Sequence, residues 1–122
     1  MRKITLLLML LCNWSIFSQS NDICSSATVL SCGTTLTAET TNGATGGSSS
    51  SCIGTIGNDV WYQFSGNGNL IQVLANSVAE EPQVEVFEST DGTCNGINLS
   101  SCFASGGTGS NSVQVEFVSA AG

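Results

Sequence analysis

The sequence predicts an all-β fold, an antiparallel β-sandwich or jelly roll stabilised by disulfides. Three observations carry that expectation. Apolar and polar residues alternate over short runs, as Val113, Val115 and Phe117 do against Gln114 and Glu116. Turn-forming Gly, Asn, Asp and Ser separate the runs, and no stretch keeps helical periodicity beyond a turn. Five cysteines, Cys24, Cys32, Cys52, Cys94 and Cys102, follow the leader and read as disulfide partners of an exported chain.

The first element is that leader. Arg2 and Lys3 precede an apolar run from Ile4 to Leu11, and Ser18-Gln19-Ser20 supplies small residues for a signal peptidase. The run falls short of the roughly 20 apolar residues a membrane span needs. Residues 1–20 are therefore read as a signal peptide cleaved after Ser20, with Ser18 as the other site. Cys12 goes with it, because Leu11 is a poor residue to precede a lipidated cysteine. The remainder, 21–122, is long enough for one domain, exported to the cell surface or beyond, with no membrane insertion after cleavage.

Cleavage changes the charge. Arg2 and Lys3 are the only cationic side chains and there is no His, so the formal net charge of −7 becomes −9. Such a chain repels nucleic acid and anionic lipid. It also has no imidazole, amine or guanidinium to serve a Ser or Cys nucleophile, so an enzyme is not expected. A carboxylate pair is the remaining route, and Glu80, Glu81, Glu85 and Glu88 read instead as a solvated rim.

The mature chain opens with Asn21-Asp22-Ile23-Cys24, and Ser25 to Leu30 ends in a short apolar run. Cys32-Gly33 turns into Thr34 to Thr37, expected as an edge strand from its β-branched residues. Thr40 to Gly57 is Gly/Ser loop, anchored at Cys52. The richest stretch follows, Asn58-Asp59-Val60-Trp61-Tyr62-Gln63-Phe64. Trp61, Tyr62 and Phe64 put aromatic bulk on both faces, as in a central strand covered on both sides, and mark the structural centre. Trp61 on an open face would instead be a sugar-stacking platform.

Gly66 to Asn69 is a tight turn, predicting a hairpin between Val60–Ser65 and Leu70–Leu74. Gln83 to Glu88 and Ile97 to Ala104 are further strands, separated by turns at Thr90-Asp91-Gly92 and Cys94-Asn95-Gly96. Val113 to Phe117 is the last. Ser119 to Gly122 reads as the start of a turn with no strand after it, so the module is expected to be incomplete at its C-terminus or completed by a partner.

Two candidate sites emerge. Asp59 and Asp91 are oxygen donors that suit calcium. No D-x-D-x-D spacing accompanies them, and turn capping explains both side chains without a metal. No other cofactor is implied. Cys24 with Cys32 and Cys94 with Cys102 form two C-x7-C pairs. A local bridge across eight residue steps, up to about 26 Å extended, must reverse the chain to bring Cα atoms within about 7 Å. Asn95-Gly96 provides one reversal; the first pair needs a helical turn. Other connectivities stay open, with Cys52 left over for a free thiol or a distal partner.

As an ordered set these residues resemble a known family. Asn21-Asp22-Ile23-Cys24, the C-x7-C to Cys32-Gly33, the loop to Cys52, Asp59 to Phe64, Val84-Glu85-Val86-Phe87 and the cysteine pair around Leu99-Ser100 are similar to pre-peptidase C-terminal-like β-sandwich modules of secreted Bacteroidetes proteins. The resemblance covers nearly all of 21–122. It implies a non-catalytic module for adhesion, binding or spacing in a longer multidomain chain exported by type IX secretion. Its partner would be a glycan or cell-surface protein; the other implied roles are accessory domain of a secreted hydrolase and carbohydrate-binding module. Two departures stand out: Glu81-Pro82-Gln83 and Ser105 to Thr108 replace segments that often carry Asp.

Overall fold

The computed structural model describes residues 19–45, 57–78, 81–106 and 109–121, and within 99–106 the backbone alone. The described chain is mostly strand: β1 (Thr28–Val29), β2 (Tyr62–Gln63), β3 (Leu70–Asn76), β4 (Gln83–Ser89), β5 (Ile97–Gly106) and β6 (Ser112–Val118). Its helical content is two 3-10 turns, Cys24–Ser26 and Cys94–Gly96. Among the described residues no helix is long and apolar enough to cross a membrane.

The strands pair two by two. β1 and β2 run parallel, while β3 with β6 and β4 with β5 run antiparallel. β6 shows the clearest alternation, with Val113, Val115 and Phe117 buried and the residues between them exposed. Its partner β3 alternates in phase, with Ile71, Val73 and Ala75 half-buried. Both inner faces are apolar, so the ladder buries one side only, as period-two patterning demands. β6 also approaches β4 and β5. In β4, Val84 to Phe87 are half-buried on both faces, which is why its alternation reads less cleanly. The β4–β5 register jumps between Phe87↔Cys102 and Glu88↔Asn98, a bulge that bends the ladder.

Three strand expectations need correction. The hairpin after Phe64 does not form, because Leu70 to Asn76 pair with Val118 to Ser112 instead. Gly66 to Asn69 is occupied by residues 119–121. The Asn67 N–H donates to Ser119 Oγ (3.1 Å), Ser119 N–H donates to Asn69 O (3.0 Å), and Asn67 bridges Ala121. Gly66 packs against the Ala120 carbonyl so closely that a Cβ has no room. The residues after β6 therefore extend the β3 ladder; they do not open a turn.

Secondly, Val60 to Ser65 is not a central strand. Only Tyr62 and Gln63 pair, with Thr28 and Val29, and Trp61, Tyr62 and Phe64 are half-buried. Thirdly, Thr34 to Thr37 is not a strand. Thr34 Oγ1 donates to Ser31 O (2.6 Å) and Thr34 N–H donates to the same carbonyl (3.0 Å), so a local turn captures the backbone.

Candidate functional site

The stretch 61–64 is the hub where separate parts of the chain meet. Trp61 N–H donates to Asn21 O (2.8 Å), and Trp61 O accepts from Thr28 N–H (3.0 Å) and Asn21 Nδ2 (3.1 Å). Asn21 is buried, 3% exposed, with its amide satisfied by that carbonyl. The Trp61 ring stacks on Phe87 of β4 at 6.2 Å, and Phe64 meets Phe117 of β6 at 6.0 Å. One short segment thus anchors to both long ladders. Its aromatics sit between elements, so each is only partly covered.

Tyr62 turns to the loop before it. Its hydroxyl donates to Glu39 Oε2 (2.9 Å). Burial, and after it the acceptor carboxylate of Glu39, push the phenol above its ordinary value of 10.0, while the Asn21 side chain works the other way. Asp22 reaches the same loop: its carboxylate accepts from Thr45 N–H and from Thr45 Oγ1 (2.6 Å). Gln19 Nε2 donates to Thr40 O. These bonds lash residues 19–22 to residues 40–45.

The two calcium candidates occupy different settings. Asp59 is half-buried, and its Oδ1 is sealed from solvent without a hydrogen-bond partner among the described residues. Asp91 is exposed and caps its own turn, accepting at Oδ1 from Thr93 N–H (2.8 Å), Thr93 Oγ1 (2.8 Å) and Ser89 Oγ (3.2 Å). The Thr93 bonds hold its carboxyl below the usual value of 3.8. Among the described residues no three His, Cys, Asp or Glu side chains group to hold a metal ion. Of the glutamates read as a rim, Glu88 is exposed, Glu85 is half-buried and Glu81 accepts from Gly109 N–H; Glu80 lies outside the described residues.

The disulfide departs from the local pairings. Cys24 bonds to Cys94 across 70 residues, with Cα atoms 5.8 Å apart, so neither C-x7-C pair closes on itself. Each of the two cysteines opens a 3-10 turn, and the bond joins the N-terminal segment to the β4–β5 connection. Cys32, expected in a bridge, is an exposed free thiol. It sits inside the turn that Thr34 N–H closes onto Ser31 O. Cys52 lies outside the described residues, and Cys102 is placed only by its backbone, opposite Phe87.

The outer face of β3–β6 is the other notable surface. Leu70 and Val118 lie opposite each other and are 66% and 67% exposed, with Leu74 open further along. Beside them Glu116 Oε1 accepts from Gln72 Nε2 (2.7 Å) and Gln114 Nε2 (2.9 Å). Sequence reasoning had treated Gln114 and Glu116 as ordinary solvent-facing residues and missed this amide–carboxylate cluster. It also gives no role to Glu39 and no partners to Asn21 and Asp22, because those partners are 23 to 40 residues away. No family model matches the chain, and no curated protein or solved structure matches it either.

Proposed function

We propose that residues 21–122 form a secreted, non-catalytic β-sandwich module that serves adhesion, binding or spacing within a larger extracellular or cell-surface protein. One observation carries this reading: beyond Lys3 the charged side chains are carboxylates alone, and those the fold engages hold neighbouring backbone and side chains in place. Asp22 fastens Thr45, Asp91 caps its turn and Glu39 holds Tyr62. With no His anywhere and no Lys or Arg beyond Lys3, the chain has no nitrogen base or cationic clamp to pair with them. A disulfide between distant segments fits an oxidising compartment. The likeness to pre-peptidase C-terminal-like modules supports the sandwich arrangement and the multidomain setting.

The test is turnover. The purified protein, offered chromogenic peptide, ester and glycoside substrates, is expected to match a heat-denatured control; sustained turnover overturns the reading. A glycan-binding role has one observation in its favour, the half-exposed Trp61. After leader cleavage it is the sole tryptophan, so its fluorescence titrated with soluble glycans reports directly. An unresponsive signal removes that role.

A further inference from the structure

Three Asn-Gly pairs occur in the chain: Asn42-Gly43, Asn67-Gly68 and Asn95-Gly96. Asparagine before glycine is the pair most prone to self-modification, because no side chain shields the following amide. The Gly nitrogen loses its proton and attacks the Asn Cγ; the C–N bond to the side-chain amide breaks and ammonia leaves. Water then opens the resulting succinimide at either carbonyl, giving aspartate or isoaspartate. The step consumes one water, releases one ammonia and involves no redox change. It needs a free Gly N–H and an Asn side chain at liberty to reach it.

We propose that Asn42 is a site of spontaneous deamidation and that the fold protects Asn67 and Asn95. Asn42 is exposed on the turn Thr41 to Ala44, which Ala44 N–H closes onto Thr41 O (3.0 Å). Gly43 takes φ +86°, and its N–H makes no hydrogen bond among the described residues. Asn42 N–H donates to Thr40 Oγ1 (3.0 Å), and its carboxamide makes no hydrogen bond among the described residues.

The other two pairs lack those freedoms. Gly96 N–H donates to Thr93 O (3.2 Å), and Gly96 O accepts from Thr90 N–H (2.9 Å). The nucleophile at Asn95 is therefore engaged inside a 3-10 turn. At Asn67 the carboxamide is held in orientation: its Oδ1 accepts from Asn69 N–H (3.1 Å) and Ser119 Oγ (3.4 Å), and its backbone bridges Ala121. Reaction at Asn95 must first free the Gly96 N–H, and reaction at Asn67 must turn a carboxamide that two donors hold in place.

Conversion at Asn42 has a structural consequence. It places a new carboxylate three residues from Glu39 in a chain with no cationic side chain beyond Lys3, and isoaspartate adds a backbone methylene inside the turn. Ala44 is buried, and Thr45 is the group Asp22 holds. The modification therefore loosens the lashing of residues 19–22.

The experiment is an ageing series at mildly alkaline pH and physiological temperature, folded and in urea. Trypsin has no site beyond Lys3, so reduction of Cys24–Cys94 followed by chymotrypsin, cutting at Trp61 to Phe64 and at Phe87, separates the pairs before mass spectrometry. In the folded protein Asn42 is expected to convert first, with Asn67 and Asn95 roughly fivefold slower or more, the factor one net hydrogen bond contributes. In urea the three rates converge. Equal folded rates, an earlier conversion at Asn67 or Asn95, or a ranking unchanged in urea overturns the proposal. N42Q removes the fast site and leaves the other two rates as they were.

Discussion

Tyr62 shows how one residue carries information about the whole N-terminal arrangement. It is the sole tyrosine, so its titration, followed by phenolate absorbance, has no competing signal. The hydroxyl should titrate above 10.0, and E39Q should bring it down toward that value; an ordinary value in the wild type contradicts the Glu39 bond. A raised folded value favours the neutral phenol, so the stability it contributes is present below the ordinary value and is lost as pH rises through the raised one. Asp91 has the opposite sign. Its lowered value favours the carboxylate, so its contribution is present at neutral pH and disappears as pH falls through that value. D91A should lower the melting temperature at neutral pH, and the difference from wild type should close in acid. A difference independent of pH would mean that Asp91 acts through packing alone.

At the scale of the element, β6 and its partner make a parity test possible. Phe117 points to the buried side against Phe64, while Val118 next to it points out. Phe117→Ala should cost about 3 kcal/mol in urea unfolding, the low end for a large buried aromatic. Val118→Ala should stay within about 0.5 kcal/mol, as an open surface position. Similar losses from both would place the strand in another register. The turn before β3 has its own test. Gly66→Ala forces a methyl onto the Ala120 carbonyl and should cost about 1 to 3 kcal/mol by overpacking. An unchanged midpoint would separate the C-terminal residues from this turn.

For the whole molecule, the covalent link matters more than any single contact. Few residues are buried among those described, and the apolar core centres on Val113, Val115 and Phe117. A chain of this length hides only about two-thirds of its unfolded surface, so its margin is narrow. Cys24–Cys94 closes a loop spanning 70 residues, for which chain entropy gives about 4 kcal/mol of stabilisation. Reduction, or C24A with C94A, should therefore shift the urea midpoint strongly downward; a small shift would mean the ladders hold unaided. The all-β class, β3 to β6 and the buried side of β6 were legible because alternation and turn residues are local properties. Val113, Val115 and Phe117 share a side in any register of matching parity. The partners were not legible. Nothing in Gly66 to Asn69 distinguishes a hairpin turn from a cradle for Ser119 and Ala121, and Cys24 has no local mark that selects Cys94 over Cys32. Trp61 to Phe64 reads as a central strand from its composition, yet its neighbours come from four distant segments. Those choices depend on which surfaces meet once the ladders pack, and period-two patterning specifies a face without specifying its partner.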